Sequence, residues 1–257
     1  MLAGPSSSGK TTTAAFLSKG IEFMGGRAYT VSLDDFYLPR SVGYPLDENG
    51  KPDYECVEAL DVELIHLCLG ELLRKGKSSL PVFDFPSGER TNNAKNIELK
   101  ENDVIIVEGL HALNPVITDT LDSSNLYKIY VSVSSRVYEN DGSVLLSKRD
   151  LRFVRRMVRD FSFRSTSVEK TFEVWESVMR GEDKYLFPFE HLADVKINSF
   201  HPCEPCVLSE RAVELLKTAL SGEYAEKASL MINKLNLFKN IDYSVLPQDS
   251  LLREFTG

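Results

Sequence analysis

Apolar positions in this chain recur in two rhythms. Over residues 12–24, Ala14, Leu17, Ile21 and Met24 return at helical spacing, which predicts an amphipathic helix. Residues 57–74 repeat the pattern through Leu60, Leu64, Leu67 and Leu72 and run into Lys75-Gly76, a basic end followed by a glycine stop. Between such segments lie short runs rich in β-formers. Residues 27–33 (RAYTVSL) alternate, whereas residues 103–107 (DVIIV) are almost continuously apolar, as in a strand covered on both faces. Residues 81–85, 127–133 and 194–198 are the remaining strand candidates, and helices are expected over 145–161, 169–180, 209–220 and 224–237. The Pro/Gly/Asp-rich residues 39–54 and the polar segment around Arg90 read as loops. Strands alternating with helices predict an α/β fold with a doubly wound parallel sheet. The expected organisation is a domain over residues 1–221, with a lid at about 145–168, and a C-terminal helical extension over 222–257.

The strongest chemical signal is Gly4-Pro5-Ser6-Ser7-Ser8-Gly9-Lys10-Thr11, which fits G-x-x-x-x-G-K-[ST] at every fixed position. The glycines let the loop curl so that backbone N–H groups meet phosphate oxygens. Lys10 adds positive charge, and the Thr11 hydroxyl can hold Mg²⁺. The loop should open a helix, whose N-terminus favours anions, so Thr12 joins the expected ATP contacts. A chance Gly/Ser-rich turn would lack the apolar Met1-Leu2-Ala3 before it and the helical pattern after it. Three residues precede Gly4, fewer than the five or six of a typical strand. Either the first strand is very short, or the chain is a fragment or has a misplaced gene start, the second being the favoured expectation.

Composition narrows the partners. The chain has 257 residues, 42% hydrophobic, with a net charge of −8 and a pI near 5.2. That is ample for a core and unlike a general nucleic-acid binder. No apolar run reaches the roughly 18 residues of a membrane span, and no secretory signal pattern is seen. Four cysteines do not make a disulfide scaffold. Cys203-Glu-Pro-Cys206, with His201 upstream, lacks a second pair at zinc spacing. A reducing, cytoplasmic setting follows.

Three further features point to phosphoryl transfer. Glu108 ends VIIV, where a carboxylate can bind Mg²⁺ directly or through water; capping is the alternative role. Asp34 and Asp35 end another strand, at the edge where open parallel sheets bind ligands. One of them can accept a proton from a hydroxyl nucleophile, and alternation along the strand turns only one toward the site. Finally, Arg152, Arg156 and Arg159 share a helix face, suiting a lid over transferring phosphoryl oxygens or a solvated charged face.

Together, GPSSSGKTT, SLDDFY, PVFDFPSGER, VIIVEGLHAL and RxxRRxxRDxxxR resemble, in order and approximate spacing over about residues 1–200, the uridine kinase and phosphoribulokinase family of P-loop kinases. LFPFEHLADVKINS and the terminal SLLREFTG are similar to a bacterial-type uridine kinase-like branch, in which a synthetase-like segment often precedes the kinase. The resemblance implies that Asp34 is the catalytic base, also near the metal, and that Thr11 and Glu108 are Mg²⁺ partners. It implies that Arg156 and Arg159 act at the phosphates and Arg164 on the nucleoside or phosphate side. Glu55 aligns with an acid that binds ribose hydroxyls, and Phe83 with a ring that packs on the base. Tyr37 and Arg90 complete the substrate set. Two positions depart from the pattern: Gly88 stands where a base-contacting His is typical, and Thr166 where a second lid Arg is common. Loss of a buried polar contact weakens discrimination among acceptors.

The expected activity is ATP- and Mg²⁺-dependent phosphorylation of a ribonucleoside 5′-hydroxyl, uridine or cytidine first. The alternatives are a kinase of another sugar or small alcohol, or a nucleotide-binding regulatory module. Nucleic acid and membrane are not expected partners. Leu230, Leu235, Leu237 and Phe238 are expected to pack on the kinase body or on a second subunit, leaving a homo-oligomer open.

Overall fold

A computed structural model describes residues 1–257. β1 (Leu2–Ala3) is two residues long and fully buried, and the glycine-rich loop after it leads into α1 (Lys10–Phe23). β2 (Ala28–Ser32) follows and ends in a 3-10 turn over Leu33–Phe36. α2 (Val62–Lys75) begins later than its apolar rhythm suggests, since a 3-10 turn at Val57–Ala59 precedes it. The Asp61 side chain accepts from the Leu64 N–H and so fixes the start, a cap that outweighs continuing periodicity. Gly76, at φ 69°, stops the helix in the left-handed conformation expected of a glycine cap.

β3 (Lys77–Asp84) and β4 (Glu89–Glu98) form an antiparallel hairpin. This corrects the loop expected around Arg90. β4 is exposed along most of its length and therefore carries no apolar alternation from which to read a strand. β5 (Val104–Glu108), α3 (Pro115–Thr118) and β6 (Ile129–Ser132) come next. A small hairpin of β7 (Val137–Tyr138) and β8 (Val144–Leu146) precedes α4 (Lys148–Arg164) and α5 (Val168–Tyr185). The chain ends with β9 (Val195–Asn198), α6 (Glu204–Lys217), α7 (Ala225–Leu235) and the single turn α8 (Arg253–Thr256). α6 starts five residues before the expected position 209, with Pro205 in its first turn, where no N–H is required.

The main sheet has five strands in the order β2-β5-β1-β6-β9, and the pairs β2–β5, β1–β5 and β1–β6 are parallel. The chain crosses from β1 to one side and then to the other, as a doubly wound sheet requires. No helix is long and apolar enough to cross a membrane.

The residues divide into two compact units. The first comprises residues 1–5, 13–130 and 180–196, and its core gathers Val31, Leu33, Phe36, Ile65, Leu72, Val107 and Leu113. The second comprises residues 6–12, 131–179 and 197–257. Its core includes Leu146, Val154, Met157, Leu216, Leu252 and Phe255. Leu235 and Phe238 pack there, whereas Leu230 and Leu237 are exposed.

Within the first unit, α5 passes the Glu55 segment at Gly181, where a Cβ would stand 2.3 Å from Glu55 Cβ. Gly181→Ala therefore forces that segment to move. It should cost about 1–3 kcal/mol and lower the melting temperature by several degrees, which a thermal scan checks.

Candidate active site

The phosphate-type loop is built on backbone that few residues tolerate. Ser7 has φ 57° and Gly9 φ 86°, so the loop curls through the left-handed region. The Ser7 and Ser8 hydroxyls are buried without hydrogen-bond partners. Buried polar atoms are seldom left so, and an anion in the loop would supply acceptors. Thr11 is exposed and Lys10 half-buried at the start of α1.

α4 holds this loop from outside. A capping box of Ser147 and Asp150 fixes its start, so its arginines emerge at set heights. Arg152 Nη1 donates to the Ser6 carbonyl at 3.1 Å, and Arg156 Nη1 to Ser6 Oγ at 2.8 Å. Arg155 is fully buried and donates to the Ser7 carbonyl at 3.3 Å and the Ser199 carbonyl at 2.8 Å. Its other donors meet Glu204, Nε to Oε1 at 2.6 Å and Nη2 to Oε2 at 2.5 Å. This bidentate pair was not singled out from the sequence; Arg155 sat unassigned in a run of arginines. Asp160 was likewise missed. Almost fully buried, it lies within 3.2 Å of Arg156, 2.7 Å of Arg159 and 3.5 Å of Arg164.

In the first unit, the carboxyl ends of β2 and β5 carry the acids. Ser32 and Glu108 are register partners, and Ser32 Oγ donates to Glu108 Oε1 at 2.7 Å. Leu2, just before the loop, is also in register with Glu108. The structure separates the two neighbouring aspartates. Asp35 Oδ1 accepts from the Phe83 N–H at 3.3 Å, whereas Asp34 is exposed at the strand end.

Tyr37, Phe83 and Phe85 form an aromatic cluster with centroids 5.6, 6.0 and 5.1 Å apart. The Tyr37 hydroxyl donates to the Tyr54 carbonyl at 2.8 Å. Burial, then the Asp34 and Glu55 carboxylates, raise its phenol well above the usual value. Glu55 is fixed through its backbone: its N–H donates to Asp53 Oδ1 at 3.0 Å, and its carbonyl accepts from His111 Nε2, also at 3.0 Å. Tyr185 in turn donates to Asp53 Oδ2 at 2.8 Å. With its proton on Nε2, buried His111 keeps an unpartnered Nδ1, and burial lowers its pKa to about 4. Arg90 pairs with Asp61 at 2.9 Å and donates to Asn92 at 3.0 Å, tying the hairpin to the cap of α2. Gly88, at φ 72°, lies against Arg40, whose Nε would be 2.4 Å from a Cβ there.

No group of three or more His, Cys, Asp or Glu side chains stands together to hold a metal ion. The oxygens that each unit offers on its own are the Thr11 hydroxyl in the second and the Glu108 carboxylate in the first. Oxygen donors are the kind that Mg²⁺ takes, one or two from protein and the rest from water and substrate phosphates.

The profile described as the phosphoribulokinase / uridine kinase family matches residues 1–204. A uridine kinase of Staphylococcus aureus is 31% identical over 198 residues, covering 76% of this chain and 84% of the relative. Among solved structures, a candidate fructose transport system kinase from Silicibacter sp. aligns with TM-score 0.54 at 20% identity, over 76% of this chain and 86% of its own. Phosphoribulokinase from Rhodobacter spheroides aligns with TM-score 0.50 at 16% identity, over 76% and 68%. These two structural likenesses concern the fold alone.

Two predictions follow from the buried groups. Glu204→Gln leaves Arg155 charged and uncompensated and should cost about 3–5 kcal/mol, with much of the loss recovered when Arg155→Met is added; denaturant midpoints of the single and double variants measure this. His111 titrates at about 4 when folded but near 6.5 when unfolded. Above both values its protonation does not differ between the states. As pH falls from about 6.5 toward 4, the unfolded chain binds a proton that the folded chain refuses, removing up to about 1.4 kcal/mol of stability per pH unit. His111→Gln should flatten that part of the stability–pH curve.

Proposed function

Because this chain belongs to the phosphoribulokinase / uridine kinase family and is a phosphotransferase, we propose that it moves the γ-phosphate of ATP to the 5′-hydroxyl of a ribonucleoside, uridine or cytidine first. The observation that carries this reading is on the acceptor side. Half-buried Tyr37 packs against Phe83 and Phe85, 5.6 and 6.0 Å between ring centroids, and the Asp34 and Glu55 carboxylates both help to raise its phenol, so a candidate base and a candidate ribose-binding acid flank one aromatic cluster.

In this reading the loop amides from Gly4 to Thr12 and the Lys10 ammonium bind the ATP phosphates. Thr11, Glu108 and Asp34 would supply the protein oxygens for Mg²⁺, which would contribute charge neutralisation when bound. Asp34 accepts the proton of the acceptor hydroxyl. The hydroxyl oxygen bonds to the γ-phosphorus as the bridge to the β-phosphate breaks, and ADP leaves. Arg156 and Arg159 neutralise the transferring oxygens, and Asp160 orients them. Arg164, Tyr37, Glu55, Phe83 and Arg90 serve the acceptor, the last through the hairpin it anchors. Catalysis rests on positioning and preorganised charge.

Gly88 favours a second reading, in which the acceptor is another sugar or small alcohol. Its left-handed backbone and the overlying Arg40 put no base-reading side chain where a nucleoside kinase of this family would have histidine. A pocket without that contact discriminates less against other acceptors.

ADP release with a panel of ribonucleosides and simple sugars decides between the two. Asp34→Asn should lower turnover with the true acceptor by about 10²–10⁴-fold while ATP binding measured by calorimetry is kept. Unchanged turnover would remove Asp34 from the mechanism.

A further inference from the structure

The C-terminal residues 246–257 lie beyond the segment 1–204 matched by the family profile, and none of the roles above uses them. Three of their side chains nevertheless reach the phosphate loop or its support. Leu251 covers Gly9 so closely that a Cβ there would stand 2.8 Å from Leu251 Cδ1. Phe255, fully buried, packs its ring 5.0 Å from the guanidinium carbon of Arg155, the group that grips the Ser7 carbonyl. Glu254 Oε2 accepts two hydrogen bonds from Thr12, from its N–H at 3.3 Å and its hydroxyl at 2.6 Å. The segment is anchored independently of these contacts. Leu252 is fully buried in the same core, and Arg253 donates to the Leu246 and Gly257 carbonyls, each at 2.8 Å.

Thr12 lies in the first turn of α1, where N–H groups lack intrahelical acceptors and the helix dipole favours an anion. In a P-loop these donors meet the phosphates. Here a carboxylate of the chain itself already occupies them.

We propose that Glu254 is an internal stand-in for a nucleotide phosphate oxygen: it fills the Thr12 anion subsite in the nucleotide-free chain, and an incoming nucleotide must displace it. The inference rests on the ATP-binding role proposed for the loop. Two anions cannot share the Thr12 donors, so measured affinity is reduced by the fraction of molecules in which Glu254 holds them. Displacement breaks both Thr12–Glu254 hydrogen bonds and so loosens the backbone of residues 250–257, while Leu252 and Phe255 keep the segment anchored in the core. The C-terminal segment thereby sets nucleotide affinity. The ligand class is a nucleoside phosphate whose own phosphate takes the Thr12 donors.

Calorimetric titration of the full chain and of Glu254→Gln with ADP in Mg²⁺, each checked for folding by thermal melting, tests this. Glutamine keeps the size and can still accept from Thr12, but it removes the competing charge. ADP should bind the variant about tenfold more tightly, the scale of one charge-assisted hydrogen bond no longer to be displaced. As a measurement independent of any variant, ADP should speed amide exchange in residues 250–257 of the unaltered chain. Equal or weaker ADP binding by the variant, or slower exchange on adding ADP, overturns the proposal and makes Glu254 a support for Thr12. If the unaltered chain binds ADP and the variant binds it no better, the displacement idea fails alone. If neither binds ADP or ATP, the nucleotide reading of the loop fails as well.

Discussion

The phosphate-type loop keeps its shape through Arg155. A loop that passes through left-handed conformations at Ser7 and Gly9 is not held by a regular ladder, and its peptide carbonyls need donors. Arg155 supplies one to Ser7 from a fully buried position. That is possible only because Glu204 cancels its charge with a bidentate grip, since an unpaired guanidinium in that core would cost several kcal/mol. With Arg152 on the Ser6 carbonyl and Arg156 on the Ser6 hydroxyl, α4 takes up acceptors of the loop. Its N–H groups are the donors an anion requires. The helix thus presents two kinds of arginine, Arg155 fully buried and structural, Arg156 and Arg159 less buried and paired with Asp160.

The same economy recurs among the acids. Of the two aspartates after β2, one is spent on the β3–β4 hairpin and the other is exposed at the strand end. Glu108 is held by Ser32 from the neighbouring strand, which orients a carboxylate without neutralising it. Glu55 has its backbone fixed at both N–H and carbonyl, so its position is set. Rigid support of this kind lets a site act by preorganisation.

Much of this was legible in the sequence, for identifiable reasons. The loop follows from steric and electrostatic needs that few residue types meet, and Gly9, Lys10 and Thr11 meet them in order. Val104–Glu108 is apolar enough to read as a doubly covered strand ending in an acid. The β3–β4 hairpin was hidden because a polar, exposed strand has no hydrophobic rhythm; its cue was the turn at Gly88. Arg155 and Asp160 were hidden for a different reason. Buried charges are written in the same letters as surface charges, and only their partners distinguish them. Glu204 stands 49 positions from Arg155, beyond the reach of any local pattern. Apolar Val154, Met157 and Val158 interleaved with the arginines were the one available hint that this face of the helix turns inward.

Gly88, a departure from the resembled pattern, is built into its local structure. At φ 72°, with the exposed Arg40 side chain over it, a histidine here would strain the backbone and push Arg40 aside. The Arg40 N–H also donates to the Gly88 carbonyl at 2.9 Å, so the two residues form one local unit. A side chain here would require the Arg40 side chain to move and the turn to accept a strained φ. The departure from the family pattern is therefore supported by its surroundings. Position 88 offers no side chain to a ligand, and the groups beside it are Arg40 and the aromatic cluster of Tyr37, Phe83 and Phe85.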